Sequence, residues 1–185
     1  INAFDYLKIN TEVTNKKSKI LSSDMLFLPG VGAYKTGINS LKDKGLYDVL
    51  REVVQIKKRK VLGICLGMQL LCSSSEEGNV KDGLNFLKLK ITKFKSKNIK
   101  IPHIGFNFVK NHNFSLLNGV KKNYFYFAHS YAAKKKTLKN INFLECEYGE
   151  KFFAGIEKEN IYGLQFHPEK SQSNGIKVLE NFYKI

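Results

Sequence analysis

In the stretch Lys60-Val61-Leu62-Gly63-Ile64-Cys65-Leu66-Gly67-Met68-Gln69-Leu70-Leu71 an apolar run stops at a cysteine, glycines stand two residues before and two after it, and a helix-like pattern follows. That spacing suits a nucleophile elbow with sulfur in place of oxygen. Backbone is crowded at a sharp strand-to-helix turn, and the two glycines remove the side chains that would clash there. The thiol then stands clear of the sheet at a helix N-terminus, where unpaired N–H groups favour a thiolate and offer donors to an oxyanion. Such a nucleophile needs a base within reach and a third group to fix that base. His167 is the candidate base: it follows the apolar run Ile161-Tyr162-Gly163-Leu164-Gln165-Phe166 and precedes Pro168-Glu169. A parallel strand ending there puts His167 at the same carboxyl edge of a sheet as Cys65. Glu169, two residues on in an expected extended segment, faces the same side and can hold the imidazole in the useful tautomer. A lone Gly-x-Cys-x-Gly or a lone His-Pro-Glu is more often structural, but both in this order, each behind an expected strand, describe a catalytic triad. His103 and His129 read as hydrogen-bonded structural histidines, and His112 as an exposed residue in a polar turn.

The elements that must carry these residues alternate. Ile1, Ala3, Phe4 and Leu7 follow a helical spacing, and Met25-Leu26-Phe27-Leu28 is a short apolar run of the kind buried parallel strands show, ended by Pro29-Gly30-Val31-Gly32. Ile38, Leu41, Leu46, Val49, Leu50 and Val53 suggest helix, broken near Gly45, before the strand 60–64 that delivers Cys65. Strand, helix, strand, helix is the α/β signature. Beyond Gly78 short strands are expected over 84–94, 101–110, 124–132, 141–148, 152–157 and 161–166. A closing helix starts near Ser173, with Ser173 or Asn174 as its cap and Ile176, Val178, Leu179, Phe182 and Tyr183 on its buried side.

The chain has 185 residues, of which 43% are hydrophobic and 12% aromatic, enough for a single domain with a substantial core. Cys65, Cys72 and Cys146 form neither a paired framework nor a metal-ligand spacing. Cys72 and Cys146 read as small core residues, a usage that suits a reducing cytoplasm. No window approaches the roughly 18 apolar residues of a membrane helix, and Asp5 and Lys8 interrupt the start. The formal charge of +15 raises a nucleic-acid reading. Against it, the cations are almost all lysine, Arg51 and Arg59 being the only arginines, and they spread along the whole chain. Runs such as Lys57-Lys58-Arg59-Lys60 and Lys134-Lys135-Lys136 read as solvated faces or turns. Neither nucleic acid nor membrane is expected as a partner.

These residues resemble the class I, or triad, glutamine amidotransferases, and within them the family of HisH subunits of imidazole glycerol phosphate synthase. The resemblance covers nearly the whole chain: Leu28-Pro29-Gly30-Val31-Gly32-Ala33, the Cys65 elbow through Leu70, Pro102-His103-Ile104-Gly105-Phe106-Asn107, Phe127-Ala128-His129-Ser130-Tyr131, and Gly163 through Ser171. It implies an α/β fold in which a doubly wound, mostly parallel sheet is flanked by helices and joined by an antiparallel strand region. It also implies glutamine hydrolysis through a glutamyl thioester on Cys65, with His167 and Glu169 completing the triad. The oxyanion would meet the N–H of Leu66 and one from the Val31 segment, whose peptide the flanking glycines Gly30 and Gly32 let flip. Glutamine would be held by Gln69, Gly32, Ser130 and Tyr131. Ammonia would pass to a HisF-type TIM-barrel cyclase subunit in a heterodimer, in histidine synthesis, with Phe106, Tyr126 and Lys170 at the partner interface. Neither cofactor nor metal is implied.

Two departures stand out. Phe106 occupies the place of the pattern's usual tryptophan, keeping apolar area but losing the indole donor. The chain also starts without the short first strand that opens the pattern, so a single domain over 1–185 lacking that strand is expected. Such a sheet would leave backbone groups unpaired, which points to truncation of a longer chain. Within the fold the rival is a HisH-like paralogue feeding ammonia to a sugar-amidating system for surface polysaccharides. Outside it, the rivals are a cysteine hydrolase of γ-glutamyl compounds working alone and a non-catalytic basic binding module.

Overall fold

The apolar runs 61–65, 152–156 and 161–164 become neighbouring strands buried on both faces, whereas Met25–Gly30, expected to be buried, lies half-buried at the edge of the sheet, where one side has no strand neighbour among the described residues. In the computed structural model residues 2–97, 99–134 and 140–185 are described; Ile1, Lys135 and Lys136 lie outside them. The chain runs α1 (Asn2–Tyr6), α2 (Lys17–Ser22), β1 (Met25–Gly30), α3 (Tyr34–Asp43), α4 (Tyr47–Arg51), a π-helical turn (Glu52–Ile56), β2 (Lys60–Cys65) and α5 (Leu66–Leu70). It continues through β3 (Cys72–Ser75), β4 (Leu87–Lys93), β5 (His103–His112), β6 (Tyr124–His129), β7 (Tyr131–Ala133), β8 (Asn142–Glu147), β9 (Lys151–Lys158), β10 (Ile161–Leu164) and α6 (Gln172–Lys184).

The main sheet has the order β1-β2-β10-β9-β8-β5-β6, and β3, β4 and β7 form a smaller one. β1 and β10 flank β2 in parallel, and each further neighbour is joined antiparallel, so β1, β2, β10, β8 and β6 point one way and β9 and β5 the other. This is the mixed α/β arrangement that the alternating elements imply. Alternate residues feed two cores, one on each face: Val61 and Phe153 belong to the first, Leu62, Ile64, Phe152 and Ala154 to the second. Register then decides position at the sheet edge. Leu164 pairs with Ile64, so Cys65 and the segment 165–167 emerge side by side.

Several local expectations need correction. The helix after Cys65 ends at Leu70, because the segment 84–87 takes the carbonyls that would extend it: Leu84 N–H donates to Leu70 O at 3.0 Å and Phe86 N–H to Leu71 O at 2.9 Å. The chain turns instead into β3, which pairs with β4 in parallel. The expected strand over 124–132 is two strands, β6 pairing with β5 and β7 with β4, and it switches sheets at Ser130. β1 runs through Pro29 and Gly30 rather than ending before them, and His112 closes β5 half-buried, stacked on Phe143 at 4.4 Å, instead of lying exposed in a turn. Helix α6 starts one residue earlier than expected, at Gln172 after Ser171. Ile176 is only half-buried on it, and Tyr183 is 49% exposed.

The basic run beside β2 is a solvated face laced with acids. Lys57 pairs with Glu52 at 3.3 Å, Lys58 with Glu159 at 3.6 Å and Arg59 with Asp24 at 3.4 Å. Exposed pairs of this kind contribute about 0–1 kcal/mol each. None of the described helices is long and apolar enough to cross a membrane.

Candidate active site

Backbone crowding at the end of β2 is visible in what a Cβ would meet. At Gly63 it would lie 2.7 Å from the Gly67 carbonyl carbon, and at Gly67 only 1.7 Å from Leu28 O. No side chain fits either place, so β2 can turn into α5 hard against β1 only with glycine at both. Between them Cys65 takes φ 53° and ψ −109°, a backbone conformation that costs about 1–3 kcal/mol for a residue with a Cβ. That strain buys a sulfur aimed into a cavity of about 320 Å³, lined by Val31, Gly32, Cys65, Leu66, Gln69, Ser130, Tyr131, His167 and Lys170 among others.

His167 reaches the same cavity from the end of β10. Its N–H donates to Tyr126 O at 2.8 Å, and its carbonyl accepts from the Ser171 hydroxyl at 2.7 Å, whose oxygen accepts the Tyr126 N–H at 2.9 Å. Ser171 thus ties the His167 backbone to β6. The segment after His167 is a 3-10 turn, Pro168–Lys170, rather than extended chain. Glu169 still meets the ring: its Oε1 lies 2.8 Å from His167 Nδ1. With Nδ1 so engaged, Nε2 is the nitrogen left for the Cys65 thiol. Hydrogen bonds to Cys65 and then to Glu169 outweigh burial and push the His167 pKa up to about 9, so the ring holds its proton at neutral pH. Glu169 is held below the usual carboxylate range, because its bond to His167 and the nearby positive charge outweigh the burial that alone would raise it.

Leu66 opens α5, so its N–H has no intrahelical acceptor. Across the cavity mouth Val31 is 81% exposed, and Gly32 has φ +101°, in the region that favours glycine. Gln69 is buried; its Nε2 donates to Tyr131 O at 3.0 Å and to Gln165 Oε1 at 3.1 Å. Ser130 and Tyr131 border the cavity at the crossover between the two sheets.

His103 and His129 are hydrogen-bonded, as expected, and His129 also lines the cavity; their tautomers follow from their partners. His129 Nδ1 faces Tyr131 O at 2.8 Å and must donate to it, so its Nε2 accepts from His103 Nδ1 at 3.2 Å. Burial pushes the two pKa values down to about 3 for His129 and about 4 for His103, keeping both rings neutral. The three residues expected at a partner interface lie together: Phe106 is 49% exposed and meets the Tyr126 ring edge-on at 5.6 Å, and Lys170 Nζ sits 5.7 Å from the same ring.

Two residues at the site were not singled out in sequence. Gln165, a polar residue inside an apolar strand segment, was a signal open to reading; it is fully buried, with Nε2 3.8 Å from Cys65 Sγ. Glu77 lines the cavity and accepts the Tyr34 N–H at 2.7 Å, and nothing in its local sequence marks it. Among the described residues no cluster of three or more His, Cys, Asp or Glu side chains is placed to hold a metal.

A family model described as "Glutamine amidotransferase class-I" matches residues 2–185. The chain is 47% identical to imidazole glycerol phosphate synthase subunit HisH 2 of Methanococcus maripaludis, over 93% of this chain and 86% of that one. It is 39% identical to subunit HisH 1 of Campylobacter jejuni strain RM1221, over 99% and 92%. A crystal structure of a glutamine amidotransferase superposes with a TM-score of 0.77 at 16% identity, covering 99% of this chain and 89% of that one.

Proposed function

The chain belongs to the class I glutamine amidotransferases and, within them, to the HisH subunits of imidazole glycerol phosphate synthase, and from that premise we propose how its site hydrolyses glutamine. Cys65 attacks the side-chain carbonyl carbon of glutamine as the thiolate, its proton having passed to His167 Nε2. The oxyanion is met by the Leu66 N–H and by an N–H of the Val31 segment once that peptide turns at Gly32. His167 gives its proton to the departing ammonia, leaving a glutamyl thioester. The ring then takes a proton from the water that resolves the thioester, while Glu169 holds Nδ1 throughout. Gln69, Gly32 and the backbone at Ser130 and Tyr131 hold the substrate. The observation that carries this reading is the sequence of contacts from Glu169 through His167 to a thiol on a strained turn.

Ammonia in water is protonated and lost, so the subunit serves a synthase by docking on an acceptor enzyme. We assign that partner as a HisF-type TIM-barrel cyclase in a heterodimer, working in histidine synthesis in the cytoplasm, where three unpaired cysteines are at home. The exposed aromatic residues beside the cavity, Phe106 with Tyr126 behind it, and Lys170 support this face as the docking side. Cys65→Ala tests the reading. Glutamine hydrolysis measured with the barrel subunit present is expected to fall to background while circular dichroism and complex formation are unchanged; retained hydrolysis refutes the assignment. Supplying the barrel's ribotide substrate, and separately candidate sugar acceptors, identifies which one consumes the ammonia.

A further inference from the structure

One buried side chain touches the Cys65 sulfur and has no part in the proposed reaction. Gln165 follows β10, is fully buried, and spends its backbone N–H on Ala154 O at 2.9 Å. Its carboxamide meets two groups, Gln69 Nε2 at 3.1 Å on one side and Cys65 Sγ at 3.8 Å on the other. The direction of these bonds is forced. Tyr131 O can only accept, so Gln69 must turn its NH2 toward it, at 3.0 Å. The second partner of that NH2 must also accept, so Gln165 presents its oxygen to Gln69 and its own NH2 to the sulfur. His129 donates to the same Tyr131 carbonyl at 2.8 Å, which fills the second lone pair and anchors the chain of bonds.

We propose that Gln165 is a further catalytic residue, a fixed N–H donor to the Cys65 sulfur whose carbonyl simultaneously orients Gln69 in the glutamine pocket. The substrate half of this assignment rests on the glutaminase reading; the donor half does not. An N–H bond to sulfur strengthens when the sulfur carries charge, so the donor favours the attacking thiolate over the neutral thiol. In a dry site this contact gains further from the low dielectric. An apolar residue would be the cheaper occupant of this buried position, since a carboxamide there costs about 1–3 kcal/mol unless both its ends are satisfied. Both ends are satisfied, and by the two groups that must be aligned with each other: nucleophile and substrate holder.

Two variants separate the halves. Gln165→Met keeps the volume and removes donor and acceptor; Gln165→Glu keeps an acceptor for Gln69 and removes the amide donor. Alkylation of Cys65 by iodoacetamide at pH 8, followed by peptide mass spectrometry on the folded full chain, is expected to slow roughly tenfold in both. In glutamine hydrolysis with the barrel subunit, Gln165→Met is expected to lower kcat and raise KM, whereas Gln165→Glu lowers kcat with KM within about twofold of wild type. A residue that only fills space would leave Cys65 alkylation untouched, so rates within twofold of wild type in the variant that retains its thermal transition overturn the donor role. Parallel KM changes in the two variants overturn the link to Gln69. A wild-type chain that hydrolyses no glutamine removes the substrate half together with the function reading, and the alkylation rate still decides the donor half.

Discussion

At the scale of single residues the proposed reaction depends on a proton held where the departing ammonia needs it. His167 is protonated at neutral pH because its two ring nitrogens face the Cys65 sulfur and the Glu169 carboxylate. Its folded pKa of about 9 lies above the unfolded value of 6.5, so the associated stability is fully present below pH 6.5 and is lost as pH rises through 9. Glu169→Gln keeps an acceptor for Nδ1 but removes the charge. We expect kcat for glutamine to drop by about a hundredfold and the alkaline limb of its pH profile to move to lower pH, as the imidazolium loses a stabilising neighbour. A steady-state pH series checks both; an unmoved alkaline limb would exclude Glu169 as the group that fixes the base. This pair of residues was legible in sequence by type and order. The turn that joins them was not, because a 3-10 turn and an extended segment both place Glu169 near the ring and nothing local separates them.

Secondary-structure elements meet the site at two junctions with opposite tolerances. Where β2 enters α5, backbone touches backbone, so Gly67→Ala forces a Cβ into Leu28 O and is expected to destabilise the fold by about 3 kcal/mol or more; a urea titration compared with wild type measures it. A change under 1 kcal/mol would mean that β1 and α5 can separate without loss. Where β5, β6 and β7 meet, the neutral His103–His129 pair pins the crossover that carries Ser130 and Tyr131. Their folded pKa values, about 4 and about 3, lie below 6.5. The unfolded chain therefore takes up protons that the native one refuses, and stability is complete above pH 6.5 and falls as pH drops below it. Two such groups give a slope of at most about 2.7 kcal/mol per pH unit, approached near pH 5. His103→Phe, which preserves stacking with Phe127 and Tyr148, should halve that slope in denaturant titrations at stepped pH. The elbow glycines could be read from sequence because a local turn demands them. The split of 124–132 into two strands could not, since β4 competes for the second half from more than 30 residues away.

For the molecule as a whole, the question is what covers the β5–β6 face. Ile104, Phe106, Phe108 and Tyr124 stand 62%, 49%, 49% and 51% exposed, beside the cavity mouth that Ile104 and Lys170 also border. If the barrel subunit docks there, Phe106→Ser should weaken association by more than tenfold, as the loss of a central aromatic anchor commonly does, while a Tyr183→Ser control on α6 leaves it unchanged. Titration calorimetry of the two subunits distinguishes these outcomes, and equal affinities would move the interface elsewhere. Local acids answer part of the lysine content, as along Lys57 to Arg59, and leave the formal charge at +15. By itself the sequence put forward Cys65 with its glycines, His167 and Glu169 as a candidate triad, because each is a local demand of residue type and spacing that survives any arrangement of distant strands. Only the tertiary structure decided that Gln165 faces the sulfur, that Glu77 borders the cavity and that two buried histidines brace the strand that begins at Tyr131. Those contacts join residues from 26 to 100 positions apart, and packing and strand register, rather than any local pattern, bring them together.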